Sequence, residues 1–142
     1  MNTVKQILDQ KGRSVFTIGP ETSVYDAVAM MAERHVGALP VMDGDKLVGM
    51  ISERDYARKC FLQGRSSPDT KVREIMTVRV MVVHPERTAE ECMALMTEKR
   101  FRHLPVVEDG NLVGVVSIGD MVKAIISEQQ FTIEQLEHYI TS

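Results

Sequence analysis

The sequence predicts an α/β (α+β) protein made of two copies of one β-α-β-β-α unit. Shifting the sequence by 65 residues aligns positions 20–55 with positions 85–120 without a gap, and 13 of the 36 pairs are identical. Both copies also show the same order of helical and extended periodicity. The composition is 44% hydrophobic over 142 residues, which is enough to build a core. The chain is therefore predicted to be an internal duplication.

Each copy opens with an extended stretch, then a proline, then an amphipathic helix. The extended stretches are 15–18 and 80–83. Apolar residues at helical spacing mark the helices: Val24, Ala27, Val28 and Met31 in the first, and Ala89, Cys92, Met93 and Met96 in the second. Ser23 with Asp26, and Thr88 with Glu91, resemble capping boxes at the helix starts.

A β-hairpin and a closing helix complete each copy. Gly and Asp at 43–45 and at 108–110 are typical of tight hairpin turns. The predicted strands are 39–42, 46–51, 104–107 and 111–116. The predicted closing helices are 53–62 and 118–126.

A polar segment rich in Gly, Ser and Pro at 63–70 is the predicted linker between the copies. The segment 72–76 echoes 4–8 at an offset of 68, so a short lead-in helix is duplicated too. The predicted organisation is repeat 1 at 1–62, linker 63–70, repeat 2 at 71–128 and a C-terminal helical tail at 129–142. Because each repeat is too small to bury both its helices, we expect the two to pack pseudo-symmetrically through their sheets.

The tail carries an apolar stripe on a helix predicted to begin after Thr132. The stripe consists of Phe131, Ile133, Leu136, Tyr139 and Ile140. Three roles are open for it: closing a homodimer, capping the core, or binding another protein.

Composition argues against several classes of function. The net charge is −3, with 17 basic and 20 acidic residues dispersed along the chain, which disfavours nucleic acid as a partner. The apolar runs are too short to span a membrane, and the N-terminus lacks a signal-peptide core, so we expect no membrane association and a cytoplasmic location. Cys60 and Cys92 are too few and too far apart for a redox pair or a zinc site, so no metal is expected.

The duplicated strings resemble those of the cystathionine-β-synthase (CBS) domain family, in tandem pairs often called Bateman modules. The resemblance rests on Leu-Pro-Val at 39–41 and 104–106, and on Gly-x-x-Ser-x-x-Asp at 49–55 and 114–120. It is strongest with the stand-alone bacterial pairs and the plant organellar ones. It implies a regulatory fold that binds AMP, ADP, ATP, NAD(H) or S-adenosylmethionine in clefts between the repeats, with AMP first. It also implies a homodimer that forms a flat disk of four CBS repeats.

The Ser-x-x-Asp motif lies where a strand turns into a helix, and its chemistry suits a nucleotide. Backbone N–H groups at a helix N-terminus attract phosphate, and a carboxylate accepts hydrogen bonds from both ribose hydroxyls. Ser52, Asp55, Ser117 and Asp120 are the candidate residues. A capping box that needs no ligand is the alternative interpretation.

The resemblance also implies that the residues before Leu-Pro-Val face a cleft. In the second copy these are Arg102 and His103, which can donate to a phosphate, whereas Gly37 and Ala38 leave room for a base. The predicted first site comprises Ser14, Phe16, Val36, Gly37, Ala38, Arg102, His103, Val115, Ser117 and Asp120. The predicted second site comprises Met50, Ser52, Arg54, Asp55, Thr77, Arg79, Val80, Met81 and Phe101. A solvated surface arginine is the alternative for Arg54 and Arg102, and core packing is the alternative for the apolar residues.

No nucleophile with an adjacent base and no Walker, Rossmann or zinc-protease motif is found, so the sequence predicts a binding module and not an enzyme. The leading interpretation is a nucleotide sensor that acts through a ligand-dependent change in a homodimer. The alternative is an interaction scaffold that regulates an unknown effector protein without needing nucleotide.

Overall fold

The computed structural model describes residues 2–141. Met1 and Ser142, which belong to the predicted first repeat and to the predicted tail, lie outside the described residues. The first half contains α1 (Val4–Lys11), α2 (Val24–Arg34), β1 (Ala38–Asp43), β2 (Lys46–Ser52) and α3 (Glu53–Tyr56), then a π-helical turn (Ala57–Phe61) and a 3₁₀ turn (Ser67–Asp69). The second half contains α4 (Val72–Ile75), α5 (Ala89–Lys99), β3 (His103–Glu108), β4 (Asn111–Ser117) and α6 (Ile118–Thr141).

The two predicted hairpins are confirmed. β1 pairs antiparallel with β2, and β3 with β4, and the register shifts at the same point in each, after Val41 and after Val106. The second turn is Asp109-Gly110, and both residues have positive φ values, of 52° and 79°. A two-residue turn of this kind matches the right-handed twist of its strands, which explains the Asp-Gly choice.

The extended stretch that opens each copy is shorter than predicted. Within 15–18 and 80–83, the described residues form a single parallel bridge each, from Ile18 to Val41 and from Val83 to Val106. Ile18 N and Val83 N donate to Pro40 O and Pro105 O of the neighbouring strands, and neither proline has an N–H that could continue the ladder toward residues 15–17 or 80–82. The α/β class is confirmed, with the first strand of each copy reduced to one residue.

The chain divides into two compact units, which we call the continuous unit and the split unit. The continuous unit is Val15–Met81. The split unit joins the residues up to Ser14 with those from Val82 onward. The buried residues of the continuous unit include Val24, Met31, Leu39, Ile51 and Ile75. Those of the split unit include Leu8, Cys92, Met96, Leu104 and Met121.

Each unit is therefore completed by the lead-in helix of the other repeat in sequence. In the split unit, Val4 N donates to Arg87 O over 2.8 Å and Lys5 N donates to Pro85 O over 2.9 Å. The continuous unit repeats these two bonds at the equivalent positions, from Val72 N to Thr22 O (2.8 Å) and from Arg73 N to Pro20 O (2.9 Å). The repeat boundaries predicted from the sequence thus mark the duplicated segments, whereas the compact units exchange their lead-in helices.

Two glycines allow the lead-in helices to approach the hairpins closely. A Cβ placed on Gly114 would lie 2.6 Å from Leu8 Cδ2 of α1. A Cβ placed on Gly49 would lie 2.8 Å from Met76 Sδ, directly after α4, and 2.9 Å from Thr77 O. The glycine of each Leu-Val-Gly string therefore serves close packing.

The C-terminal helix differs from the prediction. The sequence predicts one helix ending at Ile126 and another after Thr132, whereas α6 runs unbroken through Ile118–Thr141. The intervening Ser-Glu-Gln-Gln holds no glycine or proline, and Glu and Gln are good helix formers, so nothing interrupts the helix. The predicted stripe therefore lies on the distal half of a 24-residue helix.

Candidate functional site

The second Ser-x-x-Asp motif forms a reciprocal capping box in the split unit. Asp120 N donates to Ser117 Oγ over 3.1 Å, and Ser117 N donates to Asp120 Oδ2 over 2.8 Å. The box fixes the Asp120 carboxylate at the start of α6, where the helix dipole favours negative charge. The motif thus forms the capping box that was the alternative interpretation. Among residues 2–141, none donates a hydrogen bond to Asp120 Oδ1.

Lys11 contacts this box and is not among the residues predicted from the sequence. Its Nζ lies 2.7 Å from Asp120 Oδ2 and donates to Val115 O over 3.1 Å. The Lys11 side chain is 40% exposed and that of Asp120 is 21% exposed. One signal in the sequence points to Lys11: at the lead-in offset of 68 it corresponds to Arg79, which is a predicted residue of the second site.

Arg102 and His103 lie beside this box. His103 pairs with Ser117 across the hairpin, and Arg102 O accepts a hydrogen bond from Ile118 N over 2.9 Å. The Arg102 residue is exposed, so its guanidinium is accessible to solvent. Within the split unit, the structure thus places Arg102, His103, Val115, Ser117 and Asp120 at the hairpin and the start of α6, and all five belong to the predicted first site.

Burial lowers the pKa of His103 below its usual 6.5, because the half-buried ring is poorly hydrated as a cation. The Asp120 carboxylate opposes this shift, while Lys11 and Arg102 add to it. At neutral pH the His103 ring is therefore neutral, with one N–H to donate.

This pKa shift predicts a pH-dependent stability. Between pH 6.5 and the lower pKa of folded His103, the unfolded chain binds more protons, so stability falls as the pH falls through this window. His103→Gln removes the titration, and its free energy of unfolding should change less than that of the parent between about pH 7 and 5. Urea unfolding at a series of pH values measures this. A steeper dependence in the variant would contradict the assigned shift.

The first motif forms the same box in the continuous unit, with more partners. Ser52 N and Ser52 Oγ both donate to Asp55 Oδ2 over 3.0 Å, and Asp55 N donates to Ser52 Oγ over 3.1 Å. Thr77 Oγ1 donates to Asp55 Oδ1 over 3.3 Å, and Lys59 Nζ lies 3.1 Å from the same oxygen. Both carboxylate oxygens of Asp55 are therefore engaged, and the side chain is only 12% exposed.

Lys59 is a second residue that sequence reasoning missed. It lies in the π-helical turn Ala57–Phe61, and its Nζ also donates to Ile75 O over 3.2 Å. The sequence predicts an ordinary helix over 53–62, so neither the turn nor this lysine was expected. Single π-helical turns are frequently found at functional sites.

The other predicted residues of the continuous unit are placed as follows. Gly37 O accepts from Glu53 N over 3.0 Å, and Ala38 pairs with Ser52. Phe16 lies under the Arg34 guanidinium at 4.7 Å, and Val36 packs on the core. Met50 is buried and bridges to Thr77, Val80 and Met81 are half-buried, and Arg54 and Arg79 are exposed.

In the split unit, Ser14 is exposed and Phe101 is half-buried. Each of the two predicted sites takes residues from both units, so its assembly stays a prediction. What the structure brings together is one Ser-Asp box per unit, each with a lysine on its carboxylate.

Three further observations bear on the chemistry. Cys60 and Cys92 are buried free thiols, and burial raises the pKa of Cys92 to about 11. Residues 2–141 hold no group of three or more His, Cys, Asp or Glu side chains arranged to bind a metal ion. Across the same residues, no helix has the length and apolar character to cross a bilayer.

Comparison with known proteins places the chain in a family. The CBS domain family model matches residues 4–61 and 72–127. The chain is 41% identical to the mitochondrial CBS domain-containing protein CBSX3 of Arabidopsis thaliana, over 97% of this chain and 71% of that one. It is 35% identical to the CBS domain-containing protein YhcV of Bacillus subtilis, over 85% and 84% of the two chains.

A solved structure shows the same fold. A protein with CBS domains from Burkholderia ambifaria is 54% identical and superimposes with a TM-score of 0.86, over 93% of this chain and 99% of that one. The resemblance identified from the duplicated strings is thereby confirmed. The chain belongs to the CBS domain family, and it carries two CBS domains in tandem.

Proposed function

We propose that the protein is a regulatory module that binds an adenosyl ligand, with AMP first among AMP, ADP, ATP, NAD(H) and S-adenosylmethionine, and catalyses no reaction. One observation carries the proposal. The capping box holds Asp120 rigidly by Oδ2 at a helix start, while Oδ1 accepts no hydrogen bond from the described residues. A fixed carboxylate with an open oxygen is suited to a ribose hydroxyl.

Charges around Asp120 suit the rest of a nucleotide. Lys11 contacts the carboxylate, is 40% exposed, and can turn toward a phosphate without leaving the site. Arg102 adds a guanidinium that can donate two parallel hydrogen bonds to phosphate oxygens. His103 is neutral, so a bound phosphate should raise its pKa back toward the usual value.

The two boxes should differ in affinity. At Asp55 a ribose hydroxyl must displace Thr77 or Lys59, because both oxygens already have partners. At Asp120 the first hydroxyl displaces nothing from Oδ1. We therefore propose that the Asp120 box binds the adenosyl ligand more tightly. If the homodimer has two conformations, the ligand would shift their populations toward the one it binds more tightly, to the extent that its affinities for the two differ.

Calorimetry with a matched pair of variants tests this proposal. Asp120→Asn should weaken AMP binding by about 10- to 100-fold, since it removes a charge-assisted hydrogen bond of about 1.5–3 kcal/mol. Asp55→Asn weakens an equivalent capping box, so it controls for lost helix capping, and it should leave the tighter site intact. Equal losses in both variants would contradict the ranking. No heat and no thermal shift with any of the five ligands would reject the nucleotide function.

A further inference from the structure

The C-terminal helix presents an apolar face that remains solvent-exposed along its whole length. Val122, Ile126, Ile133, Leu136 and Ile140 are 40%, 59%, 48%, 57% and 79% exposed. Their spacing, with Gln129 between Ile126 and Ile133, is 4, 3, 4, 3 and 4 residues. That is the alternation of the a and d positions of a coiled-coil heptad. Ile126, Ile133 and Ile140 occupy a, and Val122, Gln129 and Leu136 occupy d.

This face is separate from the one that packs on the body of the split unit. Met121 and Ala124 of α6 are buried, and both lie outside the a and d positions. A groove of about 480 Å³ lies beside this face, where α6 passes Glu90 of α5; α6 lines it with Ile125, Glu128, Gln129, Thr132 and Ile133. The a and d seam is therefore available from Val122 to Ile140, a length of about 27 Å at 1.5 Å per residue.

The charged residues beside the a and d positions differ between the two ends of the helix, and this distribution indicates which partner the helix binds. The e positions are Lys123, Gln130 and Glu137, so one end of the helix carries a cation and the other an anion. In an antiparallel pair of identical helices, e positions face each other. In an antiparallel pair each a residue packs against a d residue of the other helix. One register pairs Ile126 with Leu136, Ile133 with Gln129, and Ile140 with Val122; the two residue numbers in each pair add to 262. In that register Lys123 faces Glu137 of the second copy, twice.

A parallel pair does not satisfy these residues. Parallel helices set g positions against e positions, and the g positions here are Ile118, Ile125, Thr132 and Tyr139. Lys123 and Glu137 would then face uncharged residues, and Gln129 would face its own copy in the core. In the antiparallel pair the g positions also match, because Ile125 meets Tyr139 and Thr132 meets Thr132. We infer that α6 pairs antiparallel with α6 of a second copy of this chain, with the two-fold axis beside residue 131.

None of the a and d residues of this interface belongs to either Ser-Asp box, so the pairing can be tested without added nucleotide. The stripe identified in the sequence therefore gains a defined partner and register. Two of its members fall outside the seam, since Phe131 occupies f, on the far side of the helix, and Tyr139 occupies g.

Sedimentation equilibrium of the full chain tests the pairing. The parent should have twice the 16.0 kDa mass of one chain. Ile133→Glu and Leu136→Glu should each weaken self-association by at least about 100-fold, because each places two charges in an apolar seam. Phe131→Glu, an equally drastic change on the opposite face, should leave the mass unchanged. A monomeric parent, or a dimer that survives both seam variants, would overturn the inference.

Charge reversal tests the register. Lys123→Glu alone and Glu137→Lys alone should each weaken the dimer about three- to thirty-fold, since each sets two like-charge pairs. The double variant restores opposite charges and should recover the parent affinity. Failure to recover would rule out this register.

A short thiol crosslinker tests the orientation, since the native cysteines are buried. Thr132→Cys should crosslink to itself beside the two-fold axis, and Leu136→Cys should not. The reverse pattern would indicate a parallel pair and overturn the inference.

Discussion

Replacing Leu8 by alanine is expected to lower the free energy of unfolding by about 2–5 kcal/mol. Leu8 is 1% exposed, and its Cδ2 atom fills the space beside Gly114 that a side chain would otherwise occupy. The loss therefore falls on the contact that joins α1 to the hairpin of the split unit. Urea unfolding followed by far-UV circular dichroism measures it. Gln10→Ala, at an exposed position of the same helix, should change stability by no more than about 0.5 kcal/mol.

A double variant shows whether these two residues act on each other. Gly114→Ala alone should destabilise by about 1–3 kcal/mol, because its Cβ would lie 2.6 Å from Leu8 Cδ2. Combined with Leu8→Ala, the new methyl enters vacated space, so the double variant should lose less stability than the sum of the single losses. Strictly additive losses would show that the two side chains do not compete for this space.

The replacement of Gly49 by alanine is expected to cost more than that of Gly114, about 3 kcal/mol. Here the new Cβ would meet the carbonyl oxygen of Thr77 at 2.9 Å as well as Met76 Sδ at 2.8 Å. That carbonyl cannot retreat easily, because Thr77 O accepts from Met50 N and Thr77 N donates to Met50 O, at 2.9 and 2.8 Å. Chemical denaturation of the two glycine variants side by side gives the comparison.

A second substitution separates the two clashes at Gly49. Met76→Ala removes the flexible side chain but leaves the Thr77 carbonyl in place, so it should not rescue Gly49→Ala. If it does restore stability, the clash is with the methionine alone. Displacement of Thr77 should also free Asp55 Oδ1 from its hydroxyl partner.

The fold was predictable to the extent that local chemistry determines it. The Asp109-Gly110 turn and the Thr88 and Glu91 capping box depend on residues within a few positions of one another, and both form as predicted. The exchange of lead-in helices was not predictable in this way. The two hairpins offer similar surfaces, and the sequence does not indicate that α1 packs on the hairpin that is distant along the chain. The unbroken α6 was missed because its polar middle reads as a loop although it contains no helix breaker.

The candidate site shows the same division. Ser117 and Asp120 are three residues apart, so their box follows from the sequence motif. Lys11 and Asp120 are 109 positions apart in the sequence, and hydrophobic periodicity does not predict contacts between residues so far apart. Lys59 is close to Asp55 in sequence, but its placement accompanies a π-helical turn that helical spacing does not reveal. The Ser-Asp boxes could therefore be predicted from the sequence, whereas the lysines that contact their carboxylates could be identified only from the structure.

The split unit has a consequence for the order in which the protein forms. Its α1 is synthesised before the continuous unit, whereas its packing partners follow Met81. The apolar residues Val4, Ile7 and Leu8 therefore lack these partners until the whole continuous unit has been synthesised. The continuous unit draws all of its helices and strands from Val15–Met81, so they are all available once this stretch has left the ribosome. Folding of the split unit then closes one long loop, and the entropic cost of this closure grows only slowly with loop length. During translation the continuous unit thus matures ahead of the split unit, and α1 is exposed to chaperones in the meantime.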